Sequence, residues 1–425
     1  MTGRFVIVGL GGARSPWFSN LTRWSTTGLV GAEYTKALSA DEVLAILGAG
    51  RKVSALIVSG STPGLDRDFV SVVNSFGVAV LVVDDGHTQR DWESLGAASV
   101  LPMSFGPDEL AEDLERNAQR IDPTSRRSSR VSVSFTSQDD IGALIAVTGA
   151  GGAGVSTISM ALSQGLAALS GARTVALADL TRRCDLAMYH DVGDVIPGLP
   201  ELVEAHRGDT PDPDRVREFL FDIDSRNYDL LLGQRRSRDS AAMAPLSTAA
   251  AIDGLRRSYD IVVADSDPTV DGESDTGSVD IELFNSAQRH AFSVASVVIV
   301  VVQPGIRGLR RLAGLVSTLG NFGVPAARLV PVINQAPRSA PAKASLTRLI
   351  ADLNPLDDSI HPAVFVKSIK LLEDIHHQAD ALPRSVSMPL AVAVDSLLSR
   401  EGKRNGVSAT KVAATVTPRE RSRVA

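Results

Sequence analysis

Four apolar residues, Leu144-Ile-Ala-Val147, run into the turn Thr148-Gly-Ala-Gly-Gly-Ala-Gly154. An apolar, alanine-rich segment from Ile158 to Leu169 then reads as a helix. Strand, glycine turn and helix in that order are the frame of a phosphate-binding loop, because glycines let the backbone approach an anion at a helix N-terminus. The spacing fits G-x-x-x-x-G-K-[ST], with Gly149, Gly154 and Ser156 in register. The lysine position holds Val155.

At 425 residues the chain is long enough for two or three domains. Its 44% hydrophobic and 22% charged residues are ordinary for a globular protein with large cores. A formal net charge of −6 argues against nucleic-acid binding by the whole surface. One cysteine, Cys184, excludes an internal disulfide framework and fits a reducing cytoplasm. The apolar run Val294 to Val302 is far short of the roughly 20 residues needed to cross a bilayer, so it reads as a buried strand.

The first 120 residues alternate strands (Arg4–Gly9, Val53–Ser59, Val78–Val83, Ala98–Pro102) with helical stretches (Ala40–Leu47, Asp66–Phe76, Gln89–Leu95, Pro107–Arg116). That alternation predicts a parallel sheet covered on both faces. Order and spacing resemble a response-regulator receiver domain over residues 1–118. The chemistry of one is missing. Ser59-Gly60 stands where the phosphoacceptor aspartate would be, Leu10-Gly11-Gly12 replaces the acidic pair, and Pro102-Met103-Ser104 replaces the lysine. Without a carboxylate nucleophile and its Mg²⁺ ligands, phosphorylation has no route, and the expected role is docking. Residues 122–140, rich in serine and arginine, read as a flexible linker.

Beyond the glycine loop, Thr174-Val-Ala-Leu-Ala-Asp179 and Tyr259-Asp-Ile-Val-Val-Ala-Asp265 are apolar strands that each end in a carboxylate. Ser293–Val302 and Arg328–Asn334 read as further strands. Carboxylates at strand ends beside a phosphate loop can hold Mg²⁺ and a water. On these motifs the chain resembles the MinD/ParA-type P-loop ATPases, and within them the CpaE/TadZ branch, which joins a receiver-like domain to an ATPase domain. The fold class implied is α/β, with two doubly wound, mainly parallel sheets. The implied domains are a pseudo-receiver (1–121), the linker (122–140), a MinD/ParA-like P-loop domain (141–398) and a disordered basic tail (399–425).

The resemblance places nucleotide contacts at Gly149, Gly151, Gly152, Gly154, Val155, Ser156, Thr157 and Asn334, the last against adenine. It places catalytic roles at Asp179 and Asp265, and Mg²⁺ at Ser156 and Asp265. Both lysines of the family's deviant Walker A sequence, K-G-G-x-G-K-[ST], are gone: Ala150 replaces the signature lysine and Val155 the Walker lysine. Asp265-Ser-Asp-Pro268 carries one extra residue, and Thr181 stands where a second aspartate is common. Loss of a charge-assisted lysine bond costs about 1.5–3 kcal/mol, roughly ten- to a hundredfold in affinity. Binding of ATP and Mg²⁺ is therefore expected in weakened form. A cation on the transferring phosphate is worth about 10³–10⁵ in rate, so little or no hydrolysis is expected unless Arg182, Arg183, Arg307, Arg310 or Arg311 substitutes.

The resemblance thus implies a cytoplasmic, homodimeric localisation and scaffold factor, recruited to a pole or septum, that positions a Tad-type pilus or secretion apparatus. Its rivals are an active MinD-like ATPase of septum placement, partnered with division machinery, and a ParA-like DNA partition protein. The tail has seven basic and two acidic residues and no sustained apolar face. That implies at most peripheral membrane contact and no specific nucleic-acid partner.

Overall fold

The computed structural model describes residues 4–11, 15–86, 90–121, 141–169, 173–193, 196–236, 243–352 and 360–413, with side chains described up to residue 399. The expected linker lies outside them. Backbone proximity divides the chain into two units. One comprises Met1–Asp139 with the short pieces Val203–Pro211 and Ala244–Ala251; the other comprises Asp140–Leu202, Asp212–Met243 and Ile252–Ala425.

The first unit holds five parallel strands, β1 (Phe5–Leu10), β2 (Ala32–Ala37), β3 (Ala55–Ser59), β4 (Ala79–Asp84) and β5 (Ser99–Pro102), in the order β2-β1-β3-β4-β5. This is the doubly wound order of flavodoxin and the receiver fold. β1 and β3 are buried along their whole length, which is why they read as continuous apolar runs. β2, Ala-Glu-Tyr-Thr-Lys-Ala, is a partly exposed edge strand that its polar residues hid from sequence reading. Helices α1 (Pro16–Thr27), α2 (Ala40–Gly48), α3 (Arg67–Ser75) and α4 (Pro107–Asn117) complete the unit, with Ser39 capping α2 and Asp66 capping α3 through their side chains.

The helix expected over Gln89–Leu95 is not formed in its described part. Residues 92–96 are turns that bury Trp92 and Leu95, and the Asp91 carboxylate accepts from the Ser94 N–H at 3.1 Å. That local bond competes with helix formation. At the end of β3, Ser59 donates to Asp85 at 2.8 Å in place of any phosphoacceptor carboxylate.

The second unit is an eight-stranded sheet. Its strands are β6 (Ala143–Gly149), β7 (Val175–Asp179), β8 (Phe221–Ile223), β9 (Tyr228–Leu231), β10 (Ile261–Asp265), β11 (Val297–Val302), β12 (Leu329–Ile333) and β13 (Val364–Phe365). They lie in the order β13-β12-β11-β6-β10-β7-β9-β8, and only β8 runs antiparallel to its neighbour. The two parallel sheets establish the α/β class. Ser293 and Val294, expected to begin a strand, instead end the helix Ser286–Val294, and β11 starts at Val297.

Helix α5 (Val155–Leu169) leaves β6 through the glycine loop and is buried from Ile158 to Ala167, which accounts for its apolar residues on every face. Against it lies the C-terminal helix Arg384–Ala413. Gln164 and the Leu382 backbone exchange two 2.8 Å hydrogen bonds. A Cβ at Gly165 would come within 2.4 Å of the Ser387 carbonyl, so the approach requires glycine. This helix runs on to Ala413, past residue 399 where irregular chain was expected. Its last stretch holds helix-forming Ala, Lys, Arg and Glu and meets no proline before Pro418. Residues 414–425 lie outside the described part.

Candidate functional site

The loop takes its shape from its neighbours. Gly149 pairs with Val301 on β11, and a Cβ there would lie 2.2 Å from the Val301 carbonyl, so only glycine fits. The turn closes through Ala153 N–H to the Ala150 carbonyl at 2.9 Å. Gly152 (φ 75°) and Gly154 (φ 89°) are left-handed. At Gly151 nothing obliges a glycine: no atom lies within 4 Å of a built Cβ, and the backbone is not left-handed. Its bare backbone faces open space.

Two carboxamides hold the loop from behind. Gln303 Nε2 donates to the Gly152 carbonyl at 3.0 Å, and Asn334 Nδ2 donates to the Ala153 carbonyl at 2.8 Å. With the carbonyls engaged, the N–H groups of Gly151, Gly152, Gly154 and Val155 donate to no acceptor among the described residues. Val155, Ser156 and Thr157 form the first turn of α5, where the helix dipole adds to the attraction for an anion. Asn334, assigned above to adenine, is 7% exposed and turned onto the loop. Sequence reading missed Gln303 as a site residue; its only signal was its place at the end of an apolar strand.

Replacing Gly154 by alanine is expected to cost about 1–2 kcal/mol, read by urea denaturation, because the left-handed backbone penalises any Cβ. The new Cβ would also sit 2.4 Å from Asn334 Nδ2. Gly151→Ala is the contrast: stability should change by less than ~0.5 kcal/mol, since the change is made in open space.

The two strand-end carboxylates meet across the sheet, because parallel pairing of β10 and β7 sets Asp265 beside Asp179. Both are 1% exposed. Asp179 Oδ1 accepts from the Thr181 N–H (3.1 Å) and hydroxyl (2.6 Å), and Oδ2 accepts from Leu186 N–H (3.2 Å). Asp265 Oδ1 accepts from the Ser159 hydroxyl at 3.2 Å, the Ser156 hydroxyl also interacts with this carboxylate, and among the described residues its buried Oδ2 has no donor. Burial pushes both carboxyls above the usual range. The Asp179 charge pushes Asp265 further, against the opposing effect of the Ser156 and Ser159 hydroxyls.

Among the described residues no guanidinium forms an ion pair with Asp179 or Asp265. Arg182 is engaged with Asp267 and Thr269, donating its backbone N–H to Asp267 at 2.8 Å. Arg307, Arg310 and Arg311 are exposed on the helix Ile306–Phe322 and hold no ion pair among the described residues. Arg183, exposed, likewise holds none among them. Among the described residues no lysine or arginine side chain forms a hydrogen bond or ion pair with the loop residues 150–155.

The donor set fits Mg²⁺ in one respect. An orphaned carboxylate oxygen and a helix-start hydroxyl are the sparse protein ligands this ion takes when phosphate and water supply the rest. Among the described residues no group of three or more His, Cys, Asp or Glu side chains is placed to hold a metal by itself.

No family model matches the chain, and no curated protein matches it. Solved structures do overlap it. A ParA-family ATPase from Chlorobium tepidum is 17% identical over 61% of this chain and 95% of its own, with a TM-score of 0.45. MinD in the MinC:MinD cell-division complex of Aquifex aeolicus is 15% identical over 60% and 96%, TM-score 0.45. The cell-division ATPase MinD of Pyrococcus furiosus is 17% identical over 60% and 100%, TM-score 0.45. The fold assignment rests on strand order and not on overlaps of this size.

Proposed function

We propose that this chain is a CpaE/TadZ-like localisation and scaffold factor whose P-loop binds Mg-nucleotide weakly and turns it over slowly or not at all. One observation carries the proposal: among the described residues the loop presents four N–H groups without an acceptor, and no lysine or arginine side chain is bonded to it. In such a site the backbone would cradle the phosphates, Ser156 and Asp265 would hold the ion, and Asp179 is fixed by Thr181 and Leu186. The Mg²⁺ would screen the phosphate charge that the missing lysines no longer meet. The pilus or secretion role, the homodimer and recruitment to a pole or septum follow from the resemblance of the motifs at 144–156, 179, 265 and 334. Among the described residues no helix is long and apolar enough to cross a membrane, so attachment through a partner supports the proposal better than insertion.

Calorimetry with Mg-ATP and Mg-ADP, then a turnover assay on the same sample, tests it. Binding weaker than that of a lysine-bearing loop, with negligible turnover, is the expected result. Turnover at an ordinary ATPase rate would favour the MinD-like enzyme instead. Arg307, Arg310 and Arg311, exposed and without an ion pair among the described residues, are the observation that keeps that second reading open, since a second copy can use them.

A further inference from the structure

Arg226 is 1% exposed, yet it meets no carboxylate among the described residues. Its Nε and Nη2 both donate to the Asp380 carbonyl (3.1 and 2.9 Å), and Nη2 also reaches the Tyr189 carbonyl at 3.1 Å. Nη1 lies 2.9 Å from Met160 Sδ and 3.1 Å from His190 Nε2. A buried guanidinium satisfied only by neutral acceptors is costly. Here it ties two separate pieces of chain together: the 3-10 turn Asp185–His190 and the segment that follows the helix Leu372–His377.

These two pieces also touch directly, with the Tyr189 and His376 rings 4.4 Å apart. His190 is fixed inside the turn, with Nδ1 2.6 Å from the Leu186 carbonyl and Nε2 2.6 Å from the Tyr228 hydroxyl. Backbone strain is concentrated at the ends of the same pieces. Six non-glycine residues have positive φ among the described residues, and four of them flank these elements: Cys184 (55°) and Asp191 (50°) directly at the ends of the turn, Leu371 (55°) directly before the helix and Ala379 (49°) two residues past its end. Such residues cluster at switch regions, where the surrounding structure holds them against their preference. On the outside, Met188 and Leu371 are 71% and 73% exposed.

We propose that the turn 185–190 and the helix 372–377 form one gate beside Asp179, hinged at these four residues and pinned shut from inside by Arg226. Opening withdraws the Leu186 N–H from Asp179 Oδ2, so the gate sets the state of a site carboxylate. The device does not depend on nucleotide, and it stands or falls separately from the function proposed above.

Hydrogen exchange on the ligand-free full chain, read by mass spectrometry, tests it. In Arg226→Met, which keeps bulk but cannot donate, amides of 184–191 and 371–380 are expected to exchange together, at least tenfold faster. Amides of β6 and β10 are expected to keep their rates. Leu166→Ala, a core cavity on α5, should lower the Tm without singling out those segments. Should Arg226→Met not fold, the wild type decides. Cys184 is the sole thiol, and its labelling by a disulfide reagent must share one opening constant with the 371–380 amides, within about threefold and below global unfolding. Exchange of 371–380 that is independent of 184–191, or that occurs only through global unfolding, overturns the proposal.

Discussion

Val155→Lys is expected to tighten Mg-ATP binding ten- to a hundredfold in calorimetry. The magnitude is that of a charge-assisted bond, about 1.5–3 kcal/mol, restored to a loop that already supplies the neutral donors. The position is receptive: Val155 is the first residue of α5, partly exposed, one step from the left-handed Gly154. The loop needs no rebuilding, because Gln303 and Asn334 hold its carbonyls whatever side chain stands at 155. The gain should appear for ATP and ADP alike and should leave turnover low, since Ala150 is unchanged. Unaltered affinity in the folded variant would mean that the four N–H groups do not converge on phosphate.

The parts of this site that were legible in the sequence are those written in consecutive residues. β6, the glycines and α5 form one local word, and Asp179 and Asp265 each close an apolar run of strand length. Their adjacency was not legible, because it depends on β10 lying between β6 and β7. Long-range partners were equally hidden. Gln303 and Asn334 act on carbonyls 151 and 181 residues earlier, and no periodicity records that. Ser159 looked like one more small residue of an apolar helix, yet it is a donor to Asp265. Segments whose side-chain pattern contradicts their position also misled: β2 is polar because it is an edge, and Trp92 and Leu95 fill a core from a turn where a helix was expected. Arg226 reads as a surface residue in any composition-based view and is among the most deeply buried side chains.

Asp265→Asn is expected to stabilise the ligand-free protein by about 1–3 kcal/mol at pH 8 while weakening Mg-nucleotide binding, because the native carboxylate is buried with one oxygen lacking a donor. The sign follows from linkage. Burial and the Asp179 charge raise the folded-state pKa of Asp265 above the unfolded value of 3.8, so the folded protein binds this proton more tightly than the unfolded chain. Above the folded-state pKa the wild type carries the full penalty of the buried charge. As pH falls toward 3.8 the native carboxyl is protonated and the penalty disappears. The advantage of asparagine should therefore be largest in alkali and shrink steadily with acidification, measured as paired urea denaturations from pH 8.5 to 4. His190 imposes the opposite slope, since burial pushes it down from 6.5 to about 4 and stability is lost as pH falls through that window. That slope is common to both proteins and cancels in their difference. Destabilisation by Asp265→Asn at pH 8 would mean that Oδ2 does receive a donor, and with it the case for an open ligand position on Asp265 would fall.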